Sequence, residues 1–341
     1  MTTSIDEFNY NLPKEYIAQS PANPRESAKL MVLHKTNGTI EHRTVADLPS
    51  CFHAGDIIVI NNTKVFHARL RATVNEKPAE LFLVRPQFDS TWLALGKPGK
   101  RFTVHSTVTI ASDFKGTVIE KNPDGTFIIA FDVTPQEVIE KANQYGEVPV
   151  PPYIKKIPKD SDYQTVYAKN EGSVAAPTAG FHLTQQILAR LKEKGVTILE
   201  ITLHVGLGTF MPIKTETLES HAMHSEWVNV PGDVAGTINK AKLHNQRIIA
   251  IGTTTVRTLE GVAALHHGRL SAYQGDVNLF ITPGFTFNVV NAMLTNFHLP
   301  KSTLIVLVSA FTGRETILTA YREAVNHKYR FYSFGDAMLI I

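Results

Sequence analysis

Four side chains in this sequence are suited to moving protons near neutral pH: His204, His224, Glu226 and His298. The imidazole group has an ordinary pKa close to neutral, so it can serve as an acid or as a base. A single histidine is more often a hydrogen-bonded structural residue. Taken as a set, these residues indicate acid/base chemistry, although the sequence alone leaves the role of each one open.

Two familiar signatures are incomplete in this chain. The run His204-Val205-Gly206-Leu207-Gly208 resembles half of a dinucleotide-binding loop, but Phe210-Met211-Pro212 follows where a helix should begin. His221 and His224 have H-x-x-H spacing without the glutamate and the third ligand of a zinc hydrolase. We therefore expect neither a Rossmann-type cofactor site nor a metal ion.

A run of hydroxyl groups, Gly252-Thr253-Thr254-Thr255, follows a predicted strand and precedes a helix that carries Arg257 and Glu260. The free N–H groups at a helix N-terminus, together with hydroxyls and a guanidinium, can bind a carboxylate or a phosphate. The alternative is a plain threonine cap beside a structural ion pair between Arg257 and Glu260.

Two loops could approach a ligand closely. Residues 176–182 form a turn of small residues ahead of a predicted helix, where another backbone or a ligand could fit. Residues 296–302 combine an amide, an aromatic ring, an imidazole and an amine, which could stack a base and contact phosphate. The alternatives are ordinary turn chemistry in the first loop and a capped loop with a solvated lysine in the second.

The elements that must position these residues alternate between strands and helices. We predict a buried strand at residues 56–60, a helix capped by Thr184, a helix from about residue 256, a strand at residues 277–281 and a final strand at residues 337–341. Such alternation produces an open sheet or an α/β barrel with its site at the carboxyl ends of strands.

Residues 66–148 have a different pattern. Short alternating stretches are separated by Gly, Pro and Asn-Asp turn signals; they occupy residues 80–84, 91–95, 107–110 and 126–131. A proline-rich passage at residues 148–152 marks the return from this segment. We therefore predict an α/β main domain, barrel-like or open, made of residues 1–65 and 149–341, with an inserted small all-β domain at 66–148.

The composition is that of an ordinary globular protein. The 34 lysine and arginine residues barely outnumber the 31 acidic residues, so the charge permits a nucleic-acid partner without requiring one. The single cysteine, Cys51, fits a reducing compartment. We expect a cytoplasmic protein with no leader and no membrane span. Basic residues that could contact RNA, or form a solvated face, are Lys97, Lys100, Arg101, Lys155 and Lys156.

Several ordered strings together resemble the S-adenosylmethionine:tRNA ribosyltransferase-isomerase family of queuosine biosynthesis over essentially the whole chain. They are Phe8-Asn9-Tyr10-Asn11-Leu12-Pro13, Pro151-Pro152-Tyr153-Ile154, Tyr163-Gln164-Thr165-Val166-Tyr167-Ala168, Gly172-Ser173-Val174-Ala175-Ala176-Pro177-Thr178-Ala179-Gly180, Leu203-His204-Val205-Gly206-Leu207-Gly208-Thr209-Phe210 and Gly335-Asp336-Ala337-Met338-Leu339-Ile340.

The resemblance implies a metal-independent reaction in which the ribosyl part of S-adenosylmethionine is transferred and isomerised. The acceptor would be the 7-aminomethyl-7-deazaguanine base at the wobble position of tRNA with a GUN anticodon. The products would be epoxyqueuosine-tRNA, adenine and methionine, and we expect a monomer. Two alternatives are an S-adenosylmethionine-dependent tRNA methyltransferase and a non-catalytic tRNA-binding protein.

We expect the catalytic residues to be His204 and His224 as acid and base, Glu226 to orient one of them, and Arg257 to hold the methionine carboxylate. The remaining expected substrate contacts are Arg25, Tyr153, Gln164, Tyr167, Thr178, Gly180, His182, Gly206, Gly208, Thr253, Thr254, Thr255, Glu260, Asn296, His298, Lys301 and Asp336.

Overall fold

The structure is a computed structural model that describes residues 2–87, 90–151, 153–156, 158–206 and 215–341. Its strands are, in chain order, β1 Lys29–Leu33, β2 Ile40–Thr44, β3 Ile57–Asn61, β4 Thr63–Val65, β5 Arg69–Val74, β6 Lys77–Pro86, β7 Thr91–Lys97, β8 Thr107–Ala111, β9 Phe114–Lys121, β10 Phe127–Phe131, β11 Asn170–Ser173, β12 Thr197–Leu203, β13 Glu226–Val230, β14 Ile248–Ile251, β15 Tyr273–Val277, β16 Ala292–Asn296 and β17 Ala337–Ile340.

The α-helices are α1 Pro135–Tyr145, α2 Gln185–Glu193, α3 Gly232–Leu243, α4 Thr253–Leu265, α5 Thr303–Thr312 and α6 Arg314–Asn326. Short 3-10 helices cover Ile5–Phe8, Lys14–Tyr16, Arg25–Ser27, Val45–Cys51, Gly99–Arg101, Asp160–Tyr163 and Thr178–His182.

A mixed sheet of nine strands, in the order β15-β13-β12-β3-β14-β16-β17-β1-β2, forms the main body. Strands β12, β3, β14 and β16 run parallel at its centre. Successive residues of β3 point to opposite faces, so Ile57 and Val59 pack in one core while Ile58 and Ile60 pack in the other. The sheet is open, which decides between the two predicted arrangements of the main domain.

A closed antiparallel barrel, in the order β10-β7-β6-β5-β8-β9, occupies the middle of the chain. Its interior is filled by fully buried aromatic rings, among them Trp92, Phe102 and Phe127. The barrel confirms the predicted β segment, although the sequence analysis identified neither β5 nor β9. It also missed α1, whose start is marked by a capping box between Thr134 and Glu137. The domain boundaries at residues 66 and 148 stay a prediction.

Two element bounds were predicted wrongly. The strand expected at 277–281 lies instead at Tyr273–Val277, because that stretch pairs with β13. Ile281, taken as part of a strand, packs in the core from a non-strand segment. Helix α4 begins at Thr253, three residues earlier than expected, since Gly252 adopts φ 88° and supplies the cap.

Within the described ranges, no single helix is long and apolar enough to cross a membrane. Helices α5 and α6 pass that test only as a pair, and they are bent by 116° relative to each other.

Candidate functional site

A cavity of about 470 Å³ lies between the barrel and the central sheet, and we call it the large cavity. Barrel side chains from β6 and β7 line one part of it, and residues from β13, α4 and the segment after β12 line the rest. Its volume falls within the range of small-molecule sites. Of the predicted site residues it contacts His204, Gly206, His224, Glu226 and Arg257.

His204 is held on three sides in the wall of the large cavity. Its Nδ1 atom lies 2.8 Å from the Thr63 hydroxyl. Its ring stacks on Trp227 with a centroid separation of 4.9 Å and an interplanar angle of 12°. A Cβ on Gly172 would come within 2.6 Å of the His204 Nε2 atom, so only glycine leaves room for the imidazole.

Burial lowers the pKa of His204 from 6.5 to about 4, because the apolar surroundings disfavour the charged imidazolium. The ring is therefore neutral at neutral pH. A neutral imidazole can accept a proton, so this environment suits a base better than an acid.

Glu226 and Arg257 form a buried ion pair in the same wall. Nη1 of Arg257 lies 2.7 Å from Oε2 of Glu226, with 7% and 4% of the side chains exposed. The Gly206 N–H donates to Oε1 of Glu226 at 3.3 Å. The proposed alternative pairing of Arg257 with Glu260 is wrong, since Glu260 instead accepts from the N–H groups of residues 288–290.

The other histidines of the large cavity are more accessible. His224 is exposed and His221 is half-buried. Burial, with the nearby His224 as a second cause, lowers the pKa of His221. An ion pair joins the barrel to the sheet at this cavity, with Arg85 Nη1 2.9 Å from Asp276 Oδ2.

A second, smaller space of about 50 Å³ adjoins the N-terminus of α4, and we call it the narrow cleft. Leu304 lines both this cleft and the large cavity. Five predicted site residues line the narrow cleft: Thr178, Thr253, Thr254, Asn296 and His298.

The histidine of the narrow cleft is uncharged. Burial lowers the pKa of His298 from 6.5 to about 3. Its Nε2 atom lies 3.0 Å from the Thr295 hydroxyl. The lining residues in the described part of the chain include no Asp, Glu, Lys or Arg, so the narrow cleft is polar and neutral.

Arg25 and His182 line a third space of only about 10 Å³, which shares Ser333 with the narrow cleft. The Arg25 guanidinium lies 5.0 Å above the Phe181 ring and donates to three backbone carbonyls. Burial lowers the pKa of His182 to about 4. With room for about one water molecule, this space is too small for a substrate group.

Four predicted substrate contacts make structural hydrogen bonds instead of facing a cavity. The side chain of Gln164 bridges both backbone groups of Val65. The Thr255 hydroxyl donates to the Ile251 carbonyl at 2.7 Å. Asp336 accepts a hydrogen bond from the backbone N–H of Arg330 at 2.8 Å. Glu260 accepts hydrogen bonds from the N–H groups of residues 288–290, as described above. Their roles in substrate binding stay predictions.

The remaining predicted contacts lie elsewhere. The Tyr153 hydroxyl is 2.6 Å from that of Ser333, and the Lys301 amine is 2.5 Å from Asp6. Tyr167 is packed so closely on Gly180 that a Cβ there would approach its hydroxyl to 2.1 Å. Gly208 lies outside the described residues.

Outside these spaces, one ligand atom each from His42, Glu323 and His327 lies within 4.8 Å of the others, as a metal site would require. Glu323 lies in the last turn of α6, His327 directly follows that helix, and His42 lies on β2. None of the three lines either the large cavity or the narrow cleft.

Three residues that surround His204 were not predicted as site residues: Thr63, Gly172 and Trp227. Trp227 directly follows Glu226, which was singled out, whereas Thr63 lies two residues after the end of the buried strand β3. Their contact with His204 depends on residues 141, 32 and 23 positions away in the chain, which no local pattern reveals.

Comparison with known proteins assigns this chain to a family. A family model described as "Queuosine biosynthesis protein" matches residues 5–340. A protein of Desulfitobacterium hafniense named S-adenosylmethionine:tRNA ribosyltransferase-isomerase is 46% identical, covering 99% of each chain. Proteins of the same name from Moorella thermoacetica and Heliobacterium modesticaldum are 48% and 43% identical, with 99% and 98% of each chain covered.

A solved structure agrees with these relatives. The crystal structure of an S-adenosylmethionine tRNA ribosyltransferase from Thermotoga maritima matches with a TM-score of 0.58 and 36% identity, covering 98% of this chain and 100% of that one.

Proposed function

Because this chain belongs to the queuosine biosynthesis protein family, we propose that the large cavity is where it performs the activity of that family's ribosyltransferase-isomerases. The enzyme is a transferase and isomerase that uses S-adenosylmethionine as a substrate and tRNA as the acceptor. The observation that carries the assignment to the cavity is the convergence of His204, Glu226 and Arg257 on one wall, facing side chains of the barrel.

The acceptor we propose is the 7-aminomethyl-7-deazaguanine base at the wobble position of tRNA with a GUN anticodon. The ribosyl carbons of S-adenosylmethionine would become attached to its aminomethyl nitrogen, and adenine and methionine would leave. Support comes from the family assignment together with the cavity volume of about 470 Å³, which suits a nucleoside beside a base.

His204 is the proposed base. The positive sulfonium acidifies the protons on the adjacent C5′ carbon, so a base of modest strength is sufficient. His204 is neutral, lines the large cavity and is held in place by Thr63 and Trp227. Because Thr63 engages Nδ1, the Nε2 atom is the nitrogen we assign to the proton transfer.

His224 is the proposed acid, since adenine leaves more readily once it is protonated. It is exposed to solvent, whereas His204 is half-buried in the cavity wall. The buried Glu226–Arg257 pair fixes charge in a wall that water reaches poorly. Glu226 contacts Arg257 and the Gly206 N–H, and its expected role in orienting a histidine stays a prediction.

The aromatic stack of His204 and Trp227 offers a flat surface beside the reacting groups. A base turned out of its stack is commonly bound against such rings. We propose that the modified base enters from the barrel side, where Leu93 and Leu95 complete the cavity.

Four further proposals concern the whole molecule. The protein acts as a monomer in the cytoplasm, where its single free cysteine fits a reducing environment. It needs no metal ion for the reaction. Residues 66–148 form an inserted domain, supported by the common core that Phe66, Val138 and Ala142 share with the barrel strands.

Mass spectrometry of the tRNA after incubation with enzyme and S-adenosylmethionine tests the proposed reaction. Unmodified tRNA of the same sequence, lacking the 7-aminomethyl-7-deazaguanine base, is the matched control. A gain of the ribosyl-derived fragment only on the modified tRNA is expected. A gain of one methyl group would instead indicate a methyltransferase, and an unchanged mass would indicate a binding protein.

A further inference from the structure

Two polar atoms in the residues that line the narrow cleft make no hydrogen bond of normal geometry among the described residues: the Thr254 hydroxyl and the Asn296 Oδ1. The His182 side chain interacts with that of Asn296, and the amide oxygen, with two lone pairs, still has capacity for a further donor. Thr254 is 7% exposed and Asn296 is 4% exposed. A buried polar group without a partner costs about 1–3 kcal/mol of stability. Such groups at the edge of an open space indicate that a ligand satisfies them.

The two atoms offer opposite hydrogen-bonding chemistry. The Nδ2 group of Asn296 donates to the carbonyls of Tyr332 at 2.8 Å and Ser333 at 3.2 Å. Those two acceptors fix the orientation of the amide, so Oδ1 is left as an acceptor. Thr254 is the second residue of α4, where the first N–H groups of a helix have no partner inside the helix.

The narrow cleft therefore has donors near Thr254 and an acceptor at Asn296, with no charged side chain among its described lining. The nearby His298 is neutral because burial lowers its pKa. A neutral site with separate donors and acceptor is complementary to a zwitterion, whose carboxylate and ammonium carry no net charge together. The helix N-terminus further favours the carboxylate.

The size of the narrow cleft limits what it can hold. About 50 Å³ is available, compared with about 470 Å³ in the large cavity. One water molecule requires roughly 10–15 Å³ by this measure, so the narrow cleft accepts a few heavy atoms. An amino-acid head group is of that size, whereas a nucleoside is not.

The large cavity is poorly suited to this head group. Among its described lining residues, Arg85 already contacts Asp276 at 2.9 Å and Arg257 already contacts Glu226 at 2.7 Å. A carboxylate bound at the remaining donors of Arg257, such as Nε, which has no hydrogen-bond partner among the described residues, would place a second anion beside the buried Glu226, and like charges in a buried site repel each other. This argues against the expectation that Arg257 holds the methionine carboxylate.

We infer that the narrow cleft binds the α-amino-acid head group of S-adenosylmethionine, with the carboxylate at Thr254 and the ammonium at Asn296. Leu304 lines both spaces, so a substrate passing this residue would reach the large cavity with its ribose. The inference rests on the proposed function, because it takes S-adenosylmethionine as the ligand.

Calorimetric binding to the wild-type protein provides the first test. The probes are S-adenosylmethionine, its carboxyl methyl ester, its analogue without the amino group, and decarboxylated S-adenosylmethionine. A hydrogen bond to a charged group contributes about 1.5–3 kcal/mol, which corresponds to at least tenfold in affinity. Each altered probe should bind at least tenfold more weakly than S-adenosylmethionine. Equal affinity for all four would overturn the inference.

The variant Thr254→Val removes the hydroxyl and keeps the side-chain shape. Its Kd for S-adenosylmethionine should rise about tenfold, while its Kd for the decarboxylated probe should change less than twofold. Thr254→Ser should restore tight binding. Thr258→Val is the matched control, because that hydroxyl lies one turn further along α4 and donates to the Thr254 carbonyl at 3.0 Å.

The failure of the inference and of the proposed function are distinguishable. If Thr254→Val weakens both ligands equally while wild-type protein transfers the ribosyl group, the head-group site is wrong and the proposed function stands. If wild-type protein transfers no ribosyl group and binds no S-adenosylmethionine, both are wrong. Circular dichroism establishes that each variant is folded, and the wild-type probe series decides the question if Thr254→Val does not fold.

Discussion

The wall of the large cavity contains a buried ion pair, Glu226 and Arg257, whereas the narrow cleft is lined, among the described residues, by neutral polar and apolar groups. Both spaces are lined by α4, yet the cleft faces the start of that helix and the cavity faces its second turn. The difference separates two tasks. Fixed charges stabilise charge that develops during a reaction, and a neutral cleft recognises a group that stays unchanged.

The largest effect should come from breaking the ion pair of the large cavity. Glu226→Gln leaves the Arg257 guanidinium buried without its counter-charge, so the free energy of unfolding should fall by about 3 kcal/mol or more in urea titration. The control Glu80→Gln disrupts a pair with Arg69 that is 37% and 44% exposed, and it should cost less than about 1 kcal/mol. Similar losses in both variants would contradict the contrast between buried and exposed pairs.

Replacing the proposed base should affect turnover instead of folding. His204→Ala should lower kcat about 100-fold, because a positioned base contributes at least that much, and far-ultraviolet circular dichroism should be unchanged. His244→Ala, at an exposed position after α3, should retain wild-type turnover. Wild-type turnover in His204→Ala would remove that residue from the mechanism.

The residues changed in these two experiments were predicted from the sequence by their residue type. Their contacts with one another were not. His204, Glu226 and Arg257 were chosen from residue chemistry and from their places at strand ends and a helix start. The pairing of Arg257 was not predictable, since Glu260 is three residues away on the same helix and Glu226 is on another strand. The ion pair between Arg257 and Glu226 depends on how α4 packs against β13.

The fold was more accessible than the site. Buried strands such as β3 and capped helices such as α2 follow from local patterns and capping residues. The strand β15 did not, because its alternating residues Tyr273–Val277 are less apolar than the residues that follow. The large cavity could not be predicted from the sequence, because it forms where the barrel faces the sheet and its lining residues are far apart in the chain.

Because His298 is neutral in the narrow cleft, the free energy of unfolding should depend on pH. The pKa of His298 is about 3 in the folded protein against 6.5 for the free group. As pH falls below 6.5 the unfolded chain therefore takes up a proton first, and this contribution to stability is lost as pH falls from about 6.5 towards 3. On lowering the pH from 7 to 5, this histidine should reduce the free energy of unfolding by about 2 kcal/mol.

The variant His298→Gln isolates that contribution. Urea unfolding at pH 7 and pH 5 should show a loss that is about 2 kcal/mol smaller in the variant than in the wild type. An identical pH dependence in the two proteins would mean that the pKa of His298 is the same in the folded and unfolded states, so that the ring takes up a proton in the cleft at pH 5, which would contradict its neutral character.

The smallest effect should come from the ion pair that joins the barrel to the sheet. Arg85 and Asp276 are 37% and 48% exposed, so Arg85→Gln should lower the free energy of unfolding by less than about 1 kcal/mol. The loss should shrink further in 0.5 M salt, since exposed pairs are screened. A salt-independent loss of several kcal/mol would contradict the expectation that this exposed pair contributes little to stability.

A crystal structure of the protein with bound S-adenosylmethionine tests the division of tasks most directly. We predict that the ribose lies in the large cavity with its C5′ carbon beside Nε2 of His204, and that the carboxylate lies at Thr254 in the narrow cleft. A ribose bound outside the large cavity, away from His204, would contradict the account.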